Sequence, residues 1–535
     1  MVVRNSLSLF SEIISYSINQ FRKIYLSSNI YNKKISKIHL QSLVYKPSPN
    51  LLDCLIKYKK KTNIEDFYLN LIWNENINFK DYRKLHNFFW LFSLDLKSSK
   101  KITQSVIYNW IEKNHKYNSK NWELDILSKR VISWISNSRL TYEDSNDIYK
   151  EKFDGNIKKQ VNHLINEINR SIWIEDKMIG CAAIILAGLS YKNEKYLLYG
   201  LDLLKKIIDT SFDKVGFPKS RNIRQLNFFL KYFILIREWF KESQNEIPDY
   251  INEIIFLNGQ SYSLLLQTIN KSLLFNGNQN SDNTKFENYL KLHNYKFKND
   301  NNEYGGYVVL KNKNIVLSAD IGSSPEKKFS QNYQSGALSF EIYYNNIKLI
   351  SNNGYFQNSK HQLNLISKST ATHSTLCIDN QSSCKFRKDS NGLMKVDKGL
   401  KILKKNILFN KDHWSIMGSH DGYLKKYGII PIIRKNIKKA MNSLITAENA
   451  IKVGTSILIA PEGTRTISGD LGKFKKGPFH LAKNSRATII PVGLIGAHRA
   501  KNKKDWRLKP GKLYVKIGDP ISFSSFKHKV FNKVC

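Results

Sequence analysis

A chain of 535 residues with 41% hydrophobic side chains, 28 Phe and 28 Tyr can build two or three domains, each with its own core, which excludes a disordered polymer. The formal charge of +41 is carried by Lys spread among Asn and Ile along the whole chain. With no RNP, zinc-finger or basic-zipper pattern beside it, nucleic acid is excluded as a partner. Cys54, Cys181, Cys377, Cys384 and Cys535 are too few and too scattered for a disulfide framework or a zinc knuckle. A reducing, cytoplasmic setting with no metal and no cofactor is expected.

In chain order, the N-terminal stretch MVVRNSLSLFSEIISYSINQFRK reads as an amphipathic helix, because Glu12 and polar residues interrupt its apolar run and no small-residue cleavage site follows. The longest apolar run, GCAAIILAGLSY, is too short to span a bilayer, so any membrane contact is expected to be peripheral, on the inner membrane. From about residue 80 to 270 apolar residues recur at helical spacing, as in LHNFFWLFSLDL, ELDILSKRVISWIS and LNFFLKYFILIREWF. Successive amphipathic helices predict an α/α helical array, toroid-like, over residues 1–300. Over 301–427 the stretches GGYVVLKNKNIVLSADIG, GALSFEIYYNNIKLISNNGY, STLCIDNQSSCKF and WSIMGSHDGYLKKYG are β-branched, aromatic and punctuated by Asn-Gly and Asn-Asn, which predicts an antiparallel β-sandwich. Over 428–535 the texture alternates again: strand IIPIIR, helix KNIKKAMNSLITAENAIKVG, strand SILIAPEG, helix GPFHLAKNS, then strands TIIPVGLIG and LYVKIGDPI. This last region holds 22 Lys and Arg against 5 Asp and Glu, a net +17, which suits an anionic lipid surface or a phosphorylated substrate.

The ordered set HNFFWLFSLDL, SKRVISWI, GALSFEIYYNNIKLISNNG, TATHSTLCIDNQSSCKF and SHDGYLKKYGI, spanning roughly 80–429, resembles the heparinase II/III-like polysaccharide lyases. The resemblance implies β-elimination on an acidic polysaccharide, with one group neutralising the uronate carboxylate, a base for the adjacent proton and an acid for the leaving oxygen. Where active members carry a Tyr-His pair this chain reads KSRNIRQL, and where they carry a His-rich turn it reads NYQSGALSF. That leaves His373 as the catalytic candidate, or else as a buried strand histidine bonded to backbone. Asn222 and Arg224 are candidates to grip the carboxylate, or else a helix cap and a solvated side chain. His420 and Asp421 adjoin on a strand and face opposite ways, which argues against a metal there.

The blocks GIIPIIR, APEGTR and TIIPVGL, in order and with GKFKKGPFHLA between the last two, are similar to the C-terminal half of the acyltransferases that acylate lysophosphatidic acid. The resemblance implies a phosphate cradle of Arg434, Glu462, Gly463, Thr464 and Arg465, serving a glycerophospholipid or an acyl carrier, with Gly463 allowing close backbone approach. Lys473, Lys475 and Lys476 face either anionic lipid or solvent. That family's catalytic block is His-x4-Asp, and none of the twelve histidines here has an acid five places on. The expected fold is therefore multidomain α+β: a helical array, a truncated antiparallel sandwich, and a partial α/β acyltransferase-like domain predicted inactive. The two patterns meet at Gly428-Ile429-Ile430. Three functions compete: an acidic-polysaccharide lyase, a lysophosphatidate acyltransferase, and a non-catalytic binder of acidic glycans or anionic lipid.

Overall fold

The computed structural model describes residues 17–18, 20–36, 42–48, 79–95, 97–267, 272–359, 361–389, 391–410, 413–424, 437–464, 466–500, 509 and 511–526. The chain divides into two units, Met1–His420 and Asp421–Cys535. The expected join at 428–430 lies outside the described residues.

The first unit opens with a series of helices, among them α1 Asn29–Ser36, α2 Phe79–His86, α3 Lys100–Asn114, α4 Leu124–Ser136, α5 Asp147–Glu167, α6 Ile174–Ser190, α7 Glu194–Ser211, α8 Ile223–Glu242, α9 Asp249–Tyr262 and α10 Thr284–Leu292. Side-chain caps start several of them: Ser99 accepts from the Ile102 amide, Asn146 from Tyr149 and Asn193 from Tyr196. The longest apolar run forms α6, which is buried on all sides from Met178 to Ser190 and packs against α4, α5, α7 and α8. It is apolar all round because it is the centre of the array. Among the described residues no helix is long and apolar enough to cross a membrane.

HNFFWLFSLDL and SKRVISWI, which carried the first resemblance, meet in this core. Phe88, Trp110 and Trp134 pack edge to face, and the fully buried Arg130 lies 4.2 Å over the Trp110 ring while donating to Gln160 Oε1 and to the His86 and Asn121 carbonyls. A buried cation with no carboxylate beside it is tolerated because these oxygens satisfy its donors.

A five-stranded antiparallel sheet follows in sequence order: β1 Glu303–Tyr304, β2 Tyr307–Lys311, β3 Ile315–Asp320, β4 Phe340–Tyr344 and β5 Ile347–Ile350. Register pairs Tyr307 with Asp320 and Leu317 with Ile342. One face, with Tyr307 and Val309, packs on Phe217, Ile223 and Leu226 of the helical region. The other, with Val308 and Leu310, is covered by Ile407, Trp414 and Ile416 of the hairpin β8 Ile402–Phe409 and β9 Trp414–His420. A second hairpin, β6 Lys385–Lys388 and β7 Met394–Lys398, stands beside them.

STLCIDNQSSCKF departs from expectation. Strand β6 begins only at Lys385; before it the chain makes a 3-10 turn over Thr370–Thr372, then a tight turn with positive φ at Asp379 and Asn380. Hydroxyls hold this segment where a ladder would have: Thr370 donates to the Ser335 carbonyl, Thr375 to that of Ala337, and Ser374 accepts from the Phe340 amide.

The second unit contains α11 Ile437–Lys452, α12 Lys476–Ser485 and the antiparallel pair β10 Val492–Ile495 and β11 Tyr514–Ile517. The expected strand in SILIAPEG does not form: 456–460 has no strand partner among the described residues, and IIPIIR lies outside them. Every residue of β10 and β11 is exposed, and the apolar side chains buried among the described residues of this unit are Tyr423, Ala447, Leu481, Ala482 and Phe526.

Candidate functional site

The helices meet the sheet at Arg221, which sits at φ 57° just before α8. Its guanidinium, 2.5 Å from Asp320 Oδ1, also donates to the Gly305 and Ser323 carbonyls and lies 4.7 Å over the Tyr307 ring. The Tyr307 hydroxyl donates to the Arg221 carbonyl, and Asn276 donates to both Tyr307 Oη and Asp320 Oδ2. The Arg221, Asp320, Tyr307 and Asn276 side chains are buried and hydrogen-bonded to one another or to backbone, so this cluster fixes the chain that enters the neighbouring cleft.

That cleft, of about 250 Å³, lies between the start of α6 (Trp173, Lys177), the entry to α8 (Ser220, Asn222, Gln225) and the loop before β4 (Lys328, Gln331, Asn332). Asn222 Oδ1 caps α8 by accepting from the Arg224 and Gln225 amides at 2.9 and 3.3 Å. Of the two roles expected as alternatives for Asn222, the cap is the one seen; capping by the oxygen turns the Nδ2 donor away from the helix, and Nδ2 makes no hydrogen bond among the described residues. Gly277 packs onto this amide at φ +75°, where a Cβ would fall 2.4 Å from Nδ2. Ser220 donates to Gln225 Oε1, and Gln225 Nε2 to Glu175 Oε1 at 2.7 Å. Arg224 is exposed, does not line the cleft, and donates to Gln357 Oε1.

Behind the cleft are residues that the sequence did not single out. Gln334, in the turn where the resemblance lost its imidazoles, accepts from the Gly277 amide and donates to the Gly354 and Ser367 carbonyls, joining three segments. Tyr355 donates to Asn332 Oδ1 at 3.1 Å; burial raises its pKa, against the pull of Asn364 and Arg224. Lys368 is 1% exposed, with Nζ donating to the Gln331 and Met394 carbonyls and lying 5.6 and 5.4 Å over the Tyr355 and Phe386 rings. Burial pushes this amine down to about 7. Nothing in LISKST distinguishes it from a surface lysine.

His373 is not on a strand. It follows the 3-10 turn, packed against Gly336, and does not line the cleft. Burial pushes its pKa down to about 4, opposed by a bond to the Ser367 backbone, so the ring is neutral at physiological pH. Its Nε2 is buried without a partner among the described residues. No bond joins it to Asn222 or Arg224.

In the second unit, Gly463 turns the chain at φ 72°, and its amide donates to the Ala460 carbonyl. Glu462 accepts from the Gly472 amide at 2.6 Å and Lys475 donates back to the Pro461 carbonyl at 2.8 Å, so the Glu462 carboxylate closes the loop. Thr464 is exposed, as are Lys473, Lys475 and Lys476. Arg434 and Arg465 lie outside the described residues. Among the described residues no cluster of metal-ligating side chains occurs.

The chain is similar to known proteins of two different kinds. Residues 300–434 match the family model described as Heparinase II/III-like, C-terminal, and residues 400–495 match the Acyltransferase model. The chain is similar to a probable 1-acyl-sn-glycerol-3-phosphate acyltransferase of Mycoplasma genitalium, 33% identical over 113 residues, covering 19% of this chain and 41% of that protein. It is also similar to the 1-acyl-sn-glycerol-3-phosphate acyltransferase of Cocos nucifera, 36% identical over 102 residues, covering 19% of this chain and 33% of that one. The chain thus spans less than half the length of these relatives. In fold it is similar to a mutant of the heparan sulfate lyase HepC from Pedobacter heparinus, with TM-score 0.52 and 13% identity, covering 74% of this chain and 69% of that one. The chain carries a heparinase II/III-like segment followed by an acyltransferase segment.

Proposed function

We propose that the first unit binds an acidic polysaccharide in the Asn222 cleft and cleaves it by β-elimination. The observation that carries the reading is the unpartnered Nδ2 donor of Asn222, held by its own cap in a cleft flanked by Lys177 and Lys328. Such a donor suits a uronate carboxylate, whose neutralisation acidifies the adjacent C–H. Arg224 serves incoming anionic groups from outside the cleft. The neutral His373 takes the proton in this scheme and, as the imidazolium, returns it to the glycosidic oxygen as the C–O bond breaks, which requires that its ring reach the cleft. Its present seat outside the cleft wall favours a second reading, a glycan binder without turnover.

The second unit, in the same proposal, holds a phosphate of a glycerophospholipid or acyl carrier at Glu462, Gly463 and Thr464 with Arg434 and Arg465, through peripheral contact with the inner membrane from the cytoplasmic side. Without a His-x4-Asp block it does not transfer the acyl group.

Incubation with uronate polymers, followed by the ultraviolet absorbance of the unsaturated product, tests the first part. Product that disappears in Asn222→Asp supports it; Asp caps a helix as well as Asn but sets a carboxylate against the substrate. Silence over a broad panel of polymers discards the lyase. Binding to anionic liposomes that is lost in the Arg434→Ala/Arg465→Ala variant supports the second part, and labelled acyl incorporation would contradict it.

A further inference from the structure

The helical unit contains a second and larger cavity, of about 630 Å³, between the α3–α4 connection, the C-terminal end of α5 and the turn into α6. Tyr117, Trp122 and Trp173 form its aromatic wall. Trp173 is 36% exposed and also lines the Asn222 cleft, so one ring borders both spaces.

The acidic groups of the wall are unequal. Glu167 is paired with Arg22, while Glu123 and Asp125 share Arg83 at 2.5 Å each. Asp176 has neither hydrogen bond nor ion pair among the described residues. Burial, with the Asp125 and Glu175 carboxylates beside it, pushes this carboxyl up to about 7. The indole N–H of Trp122, which is 2% exposed, is likewise buried without a partner. Arg170 is exposed at the rim.

An unpaired carboxylate beside an indole face is a complement for an ammonium: the carboxylate takes the charge-assisted hydrogen bonds and the ring takes the cation and its apolar frame. A lone N–H donor in the same wall asks for an acceptor such as a hydroxyl oxygen, and aromatic walls with few polar groups suit a small organic ligand better than a bare ion. We infer that this cavity binds a saccharide bearing an unsubstituted amine, with the ammonium on Asp176 and the sugar face on Trp173. Arg170 then suits an acidic group on the adjoining sugar. A uniformly anionic polymer is disfavoured here, because Glu123, Asp125, Glu167 and Asp176 share the wall.

Binding at this cavity requires no turnover at Asn222, so a silent lyase assay leaves the inference standing and a positive one does not establish it. The test is calorimetric titration of the full chain at pH 7 with a glucosamine tetramer, its N-acetylated counterpart and spermidine. The amine tetramer is expected to bind at least about tenfold more tightly than the acetylated one, the worth of one charge-assisted contact. Trp173→Ala and the isosteric Asp176→Asn should each weaken it about tenfold. Equal binding of the two tetramers, or no loss in either variant, overturns the inference. Spermidine binding as tight as the amine tetramer and unchanged in Trp173→Ala overturns the saccharide assignment.

Discussion

Strands β2 and β10 carry similar residues, YVVLK and VGLI, and end in opposite environments. Strand β2 has neighbours on both edges and both faces, with Tyr307, Val308, Val309 and Leu310 all buried. Strand β10 pairs along one edge with β11 and exposes every side chain, Leu494 at 68% and Ile495 at 56%. β-propensity measures fit to a pleated, packed surface; without the surface the same residues make a strand that buries nothing. The first unit supplies both faces of its sheet with packing partners, from the helical region and from the β8–β9 hairpin, whereas the described residues of the second unit leave the apolar side chains of β10 and β11 exposed.

The largest expected break in this contrast is Arg221→Ala. It strands Asp320 at 1% exposure and should cost the first unit about 3–5 kcal/mol in denaturant unfolding. Loss of less than about 1 kcal/mol would mean that the cluster does not anchor the sheet to the helices. Next comes one substitution made twice. Leu310→Ala, in the covered face of β2, should cost about 2–5 kcal/mol, while Leu494→Ala in β10 should stay within about 0.5 kcal/mol. Equal losses would abolish the contrast. The exposed ribbon also predicts concentration-dependent association by light scattering, weakened by a Leu494→Lys substitution; a strictly monodisperse chain would count against it.

A smaller, pH-dependent effect belongs to Lys368. Its folded pKa of about 7 lies below the ordinary lysine value of 10.5, so between these limits the unfolded chain binds the extra proton and stability rises with pH. Below pH 7 the penalty is fully present. The difference between wild type and Lys368→Met should therefore change by up to about 1.4 kcal/mol per pH unit within that window and level off below it. A difference independent of pH would show that the amine is not held neutral.

The helical array was legible because a 3.6-residue apolar period survives wherever a helix has one buried face, and α6 announced its central place by having no polar face at all. The sheet was legible from β-branched and aromatic stretches punctuated by Asn-Gly and Asn-Asn turns. Misread stretches failed for identifiable causes. Between Thr370 and Ser383, hydroxyls replace ladder bonds, and 456–460 has strand residues without a strand beside it. At the site, Asn222 was visible as a cap candidate, but which of its atoms the cap leaves free is set by the fold. Gln334, Tyr355 and Lys368 became visible only when the fold brought distant segments together, since a buried amide or amine has no periodic signature.

The proposed glycan contact of the first unit is Asn222. Titration of the full chain with a uronate polymer, wild type against Asn222→Asp at equal thermal stability, is its test. Binding in the wild type and at least about a tenfold loss in the variant are expected, the worth of replacing one charge-assisted donor by a like charge. Binding that is unchanged in the variant would contradict it.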